Sequence, residues 1–158
     1  MNNLIEWLPN NLPTEKKTGI VHGDYSLTNV MIGKSDPNVI AILDWELSTL
    51  GDPCADFNYH CLQYTMNPKL ADKEYCKQQG IPVIDDYVKM YSERINIDLT
   101  EEWDLYTAYN LFKLAGILQG ILGRVRDGTA AHENAAERAS GVRNLSDTAW
   151  DLVEKNFL

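Results

Sequence analysis

The chain has 158 residues, 23 acidic against 14 basic side chains, a net charge of −9 and 44% hydrophobic residues. That length supports one domain with its own core. The acidity, with no Lys/Arg cluster to interrupt it, excludes a nucleic-acid surface and an anionic-membrane anchor, both of which need clustered cations. Cys54, Cys61 and Cys76 are odd in number and contain no C-x-x-C pair. They argue against a disulfide framework or a zinc site and for a reducing, cytoplasmic setting. Met1 to Leu8 carries Glu6 and lacks the basic start of a signal peptide. The most apolar stretch, Leu111 to Val125, is broken by Lys113, Gln119 and Arg124 and is too short to span a bilayer.

In chain order, Leu4, Ile5, Trp7 and Leu8 put apolar residues on one side of a short helix bounded by Pro9 and Pro13. Thr18 to His22 reads as a strand. Asn29 to Ile32 and Val39 to Leu43 read as two more, joined by the turn-rich G-K-S-D-P-N into a hairpin. Asp52-Pro53 starts a helix, with the Asp side chain as cap and Pro at its first position. That helix runs to about residue 64 or 66 and stops at Asn67-Pro68. A helix from about Val83 to Arg94 follows the Gly80-Ile81-Pro82 stop. Glu101 to Val125 is the clearest helix, with apolar residues recurring at three and four. Gly116, Gly120 and Gly123 within it are expected to admit another helix closely. Asp127-Gly128 ends it, and a last helix is expected from about Ala130 to Phe157. Three strands followed by helices make an α+β, mostly helical chain, read as a single domain over residues 1–158.

The informative segment is H-G-D-Y-S-L-T-N, His22 to Asn29, in a loop between two short strands where side chains can face a cleft. Asp44 follows one hairpin later, in I-L-D-W-E. Phosphoryl transfer to a hydroxyl needs a carboxylate to orient the hydroxyl and accept its proton, and hard oxygen ligands for Mg²⁺. Protein kinases supply an Asp and an Asn from one loop and a second Asp after the next hairpin. Asp24, Asn29 and Asp44 repeat that order. Asp24 and Asn29 alone would be ordinary turn residues; the third member and the flanking pattern make the difference.

H-G-D-x-x-x-x-N followed by I-L-D-W-E resembles the aminoglycoside phosphotransferase and choline kinase superfamily. The continuation L-S-T-L-G-D-P-C-A-D-F, Leu47 to Phe57, is similar to the phosphotransferase domains related to those fused to acyl-CoA dehydrogenases. The resemblance covers the whole chain, from L-I-E-W-L-P to L-F-K-L-A-G-I-L-Q-G. It implies the C-terminal lobe of a protein-kinase-like fold, a small β-hairpin element on a helical subdomain. It also implies transfer of phosphate from ATP, with Mg²⁺, to a small hydroxylated molecule. By position, Asp24 resembles the catalytic Asp, Asn29 and Asp44 the Mg²⁺ ligands, and His22 and Asp56 the residues that brace the loop. The fused relatives point by analogy to a hydroxy acid or hydroxyacyl-CoA as acceptor.

Other residues keep two readings. Glu46 either touches metal or substrate or is a solvated loop carboxylate. Tyr106, Asn110 and Lys113 share part of a face of the long helix, where the superfamily's acceptor pocket lies. Lys113 either pairs with an anionic substrate group or reaches solvent or an acid, and Arg124 has the same ambiguity. Trp45, His60 and His132 read as structural, and Asp52 as a helix cap.

A complete kinase of this kind has an N-terminal lobe with a glycine-rich loop and a strand lysine. Only 21 residues precede His22; Gly19 is alone there, and Lys16 and Lys17 lie in a turn-like stretch. The nucleotide lid is therefore expected to be missing, and the uncovered surface to be apolar. That leaves two functions: a phosphotransferase when complete, or a non-catalytic module that binds a partner or a second copy of itself.

Overall fold

The structure is a computed structural model that describes residues 1–14, 17–130 and 134–158; Lys16 and His132 lie outside the described residues. The chain divides into two compact units, one of residues 1–13 with 104–158 and one of residues 14–103.

The second unit carries the loop segments. Strand β1 (Gly19–Val21) pairs antiparallel with β4 (Thr49–Gly51), and β2 (Val30–Ile32) pairs antiparallel with β3 (Val39–Ile42). The β2–β3 hairpin is the one expected. Strand β4 was not foreseen: Thr49-Leu50-Gly51 is too short to show a period, and only its partner makes it a strand.

Helix α2 (Pro53–Met66) starts as the sequence indicates. Pro53 opens it, and the Asp52 carboxylate accepts the Cys54 N–H at 2.9 Å. The break at Asn67-Pro68 is brief. Asn67 caps a short helix α3 (Pro68–Ala71), and Asp72 caps α4 (Lys73–Gln78) by accepting from Glu74 and Tyr75. Helix α5 (Ile84–Ile95) ends on Asn96, in the left-handed region at φ 55°. Phe57 of α2 stacks on Tyr91 of α5, ring centroids 3.8 Å apart and planes 10° from parallel. Cys54, Cys61, Leu62 and Val88 are buried with Phe57, so the cysteines are core thiols.

The other unit is helical. Helix α1 (Asn2–Trp7) packs on α8 (Val142–Phe157), with the Trp7 and Phe157 rings 5.8 Å apart. Leu4 and Leu8 are buried, while Ile5 is exposed. Helix α6 (Trp103–Arg126) buries Leu105, Tyr106, Ala108, Leu111 and Ala115, and ends through Gly128 at φ 69°.

Two expectations need correction here. A Cβ at Gly116 or Gly123 would meet no described atom within 4 Å, and at Gly120 only the Arg124 side chain of the same helix. These glycines therefore mark no close helix approach among the described residues. The last helix is also not continuous: α7 (Ala135–Arg138) and a 3₁₀ turn (Ala139–Gly141) precede α8. Ser140 donates to the Glu137 carbonyl at 2.7 Å, and Gly141 is a poor helix former, so the chain re-starts there.

Candidate active site

Gly23 sits at φ +85°, and a Cβ there would lie 2.5 Å from the Leu47 carbonyl oxygen. Only glycine allows the loop to turn this closely past the segment that follows Asp44. The backbone N–H of His22 donates to Asp56 Oδ2, and that of Gly23 to Asp56 Oδ1 at 3.0 Å. One carboxylate in the first turn of α2 thus satisfies two consecutive loop amides. Asp56 thus ties the start of α2 to the loop.

His22 is buried and bonded through both ring nitrogens. Nε2 donates to the Leu43 carbonyl at 2.7 Å, which can only accept, so Nδ1 is bare and accepts the Asp24 N–H at 3.2 Å. The ring also packs on Trp45, centroids 4.8 Å apart. His22 therefore ties the loop to the strand end before Asp44. With both nitrogens engaged, it is a brace rather than a proton shuttle.

Asp24 and Asn29 come together. The Asn29 side-chain amide donates to the Asp24 carbonyl at 2.9 Å and to Asp24 Oδ2 at 3.3 Å. This directs its Nδ2 toward Asp24 and leaves Oδ1 to accept elsewhere. The Asn29 carbonyl accepts the Leu43 N–H at 2.8 Å, so Asn29 lies beside the strand end that leads into Asp44. Asp44 is exposed, at φ 66° and ψ 56° in the left-handed region, and opens the 3₁₀ turn Trp45–Leu47. A non-glycine residue there costs about 1 kcal/mol or more and is found where function or a turn requires it. The Trp45 indole donates to the Ile42 carbonyl at 2.9 Å, which makes Trp45 part of this turn's frame.

The donor set fits a hard divalent cation. Asn29 Oδ1 and the Asp44 carboxylate are both hard oxygen donors on neighbouring loop ends. Mg²⁺ is commonly held by one or two such groups, with phosphates and water completing its shell. Among the described residues no group of three or more His, Cys, Asp or Glu is arranged to hold a metal.

Glu46 is exposed in the 3₁₀ turn after Asp44. Tyr106 and Asn110 are buried on α6, and Lys113 is half-buried there. His60 Nε2 bonds the Tyr87 hydroxyl at 3.2 Å, and its ring lies 5.4 Å from that of Tyr25, with burial holding its pKa below the ordinary value. Sequence reasoning missed Tyr59 of α2, where burial first, and the charge of Asp24 and a hydrogen bond to it next, push the phenol up to about 12. The available signal was the spacing Asp56-x-x-Tyr59, which puts both side chains on one face of α2.

The short antiparallel pairs and the helices after them form a kinase-like phosphotransferase fold. The phosphotransferase enzyme family (APH) matches residues 1–106, and the chain belongs to that family. A solved Ralstonia eutropha protein, whose name assigns it to the aminoglycoside phosphotransferases, is 40% identical with TM-score 0.90; the match covers 99% of this chain and 49% of that one. Mouse acyl-CoA dehydrogenase family member 10 is 37% identical over 98% of this chain and 15% of its own length. Human acyl-CoA dehydrogenase family member 11 is 33% identical over 99% of this chain and 21% of its own length. The Arabidopsis thaliana probable acyl-CoA dehydrogenase IBR3 is 35% identical over 98% of this chain and 19% of its own length. The chain thus spans a minor part of these curated relatives.

Proposed function

We propose that this chain carries the acceptor-side and metal-side machinery of an ATP-dependent kinase for a small hydroxylated molecule. The single observation behind this reading is the bonded Asp24–Asn29 pair, joined through Leu43 to the strand end that presents Asp44. Asp24 orients the acceptor hydroxyl and takes its proton as phosphate transfers. Asn29 holds Asp24 in place and, with Asp44, supplies oxygen ligands. They would hold Mg²⁺, which would supply positive charge against the phosphates. Asp56 and His22 keep the loop rigid, which matters because catalysis of this kind is mostly positioning and electrostatics. The names of the dehydrogenase-family relatives favour a hydroxy acid or hydroxyacyl-CoA as acceptor. Glu46, exposed in the turn after Asp44, is the residue proposed to contact it.

The test is calorimetric titration of the full chain with Mg²⁺-ATP, with Asp44→Ala as control. Binding that vanishes in the variant is expected. Equal binding by both proteins would remove Asp44 from the site, and no binding at millimolar nucleotide would mean that the chain alone does not recruit the donor.

A second reading, a self-associating or partner-binding module, draws on one specific observation. The cross-strand pair Ile20 and Leu50 is 71% and 73% exposed, and Ile40 of β3 is 63% exposed. Exposed apolar rows of this kind favour a covering partner, here a second copy. Sedimentation that shows a dimer, converted to monomer by Leu50→Lys, is the expected signature; a monomer at high concentration would rule it out.

A further inference from the structure

We propose that the cleft between the loop after β1 and helix α5 is a binding site for a small aromatic monocarboxylate, with Arg94 as its anion anchor. The site stands apart from the phosphoryl-transfer reading, since neither Asp24 nor Asp44 lines it. The cavity measures about 340 Å³, within the range of small-molecule sites. All of its lining residues lie between Ile20 and Arg94, inside the unit of residues 14–103.

The walls are rings. Tyr25 comes from the loop, Trp45 from the turn after Asp44, Phe57 from α2, and Tyr87 and Tyr91 from α5. Each ring is held by a contact of its own. Phe57 is buried, stacks on Tyr91 at 3.8 Å and meets Tyr87 edge-on at 5.1 Å. The Tyr87 hydroxyl bonds His60 Nε2 at 3.2 Å, and the His60 ring lies 5.4 Å from that of Tyr25. Trp45 is fixed by its indole bond to the Ile42 carbonyl. A flat apolar group entering the cleft therefore meets ring faces and edges already in place, and little ordering of the walls opposes binding.

Charge selects the other end of the ligand. Asp56 is the acid that lines the cleft, and both its oxygens already accept from the amides of His22 and Gly23. His22 is neutral, with both ring nitrogens bonded. Arg94 is the cation that lines it. It is exposed in the last turn of α5 and has no hydrogen bond or ion pair among the described residues. That position also suits the helix dipole, but the dipole occupies none of the guanidinium N–H groups. The hydroxyls of Tyr25 and Tyr91 likewise have no hydrogen-bond partner among the described residues. A planar fork of five donors beside two phenols matches a carboxylate better than any neutral polar group.

Calorimetric titration of the full chain with 3-phenylpropionate, its neutral amide, hexanoate and acetate tests the site. The aromatic acid is expected to bind with Kd on the order of 1 mM, the amide about tenfold more weakly, hexanoate more weakly than the aromatic acid, and acetate not measurably. Arg94→Gln changes an exposed side chain. It is expected to bring the acid down to the affinity of the amide while leaving the amide and the ligand-free thermal midpoint unchanged. Equal binding of acid and amide to the unaltered chain, or a preference for the acid that survives Arg94→Gln, overturns the anchor. Hexanoate that binds as tightly as 3-phenylpropionate overturns the aromatic class. No binding of the aromatic acid at about 10 mM overturns the site altogether. A dimer, seen by sedimentation, that excludes the acid gives the cleft to a second copy of the chain and overturns it too.

Discussion

The segments His22 to Asn29 and Leu43 to Leu47 contribute to one site but are held differently. The first is bonded at nearly every step: its amides to Asp56, its histidine to Leu43 and to its own loop, its carboxylate to Asn29. The second is exposed, turns through a left-handed Asp44, and is framed chiefly by backbone and indole bonds. The contrast matches two demands of the proposed chemistry. A proton acceptor must be aimed before substrate arrives, since misplacement costs rate directly. A metal ligand can stay solvated until cation and phosphate bring it into line.

The largest expected effect tests the rigid half. Asp56→Ala strands the amides of His22 and Gly23, and should cost about 4 kcal/mol by urea unfolding, from two lost bonds to a charged acceptor. A loss below about 1 kcal/mol would mean that water replaces the carboxylate and that α2 does not hold the loop.

His22→Phe keeps a ring of similar volume but removes the donor to Leu43 and the acceptor for Asp24. It should cost about 2 kcal/mol and weaken Mg²⁺-ATP binding as well, because His22 joins the two halves. Binding that is unaffected would show the two segments to be independent.

Asp44→Gly probes the flexible half with the opposite expectation. Glycine accepts the left-handed conformation freely, so stability should stay within about 0.5 kcal/mol while Mg²⁺-nucleotide binding is lost. A large loss of stability would show that the Asp44 side chain frames the turn.

The smallest effects come from pH. Burial lowers the His60 pKa, so the fold favours its neutral form. The stability this confers is present above about pH 6.5 and falls on acidification below it. Tyr59 and Tyr91 are raised from 10.0 to about 12, burial first in each case, so their contribution is intact below pH 10 and lost between about 10 and 12. Chemical denaturation across pH should show a plateau between these limits. Asp24→Asn should soften the alkaline fall by relieving Tyr59.

Much of this was legible beforehand because it is local. The Asp52-Pro53 cap, the β2–β3 hairpin and the loop motif are spacing and stereochemistry within a few residues, and each stands where the pattern puts it. The brace of His22 and Asp56 was implied by resemblance, and the structure supplies its bonds. Two of the failures are non-local: strand β4 exists only through β1, and the glycines of α6 looked like a packing face but meet no other element among the described residues; the third is local, the last helix breaking where a serine and a glycine compete with it.

The sequence by itself determined the chemistry on offer: two carboxylates and an amide in kinase order, carried by short strands and capped helices. Tertiary structure alone decided that one carboxylate of α2 serves two amides 33 and 34 residues away and that Asp44 lies exposed in a left-handed turn. The reason is physical. Capping and periodicity act over one or two turns and leave their mark in adjacent residues, whereas a contact between distant residues depends on how whole elements pack, which no short window encodes.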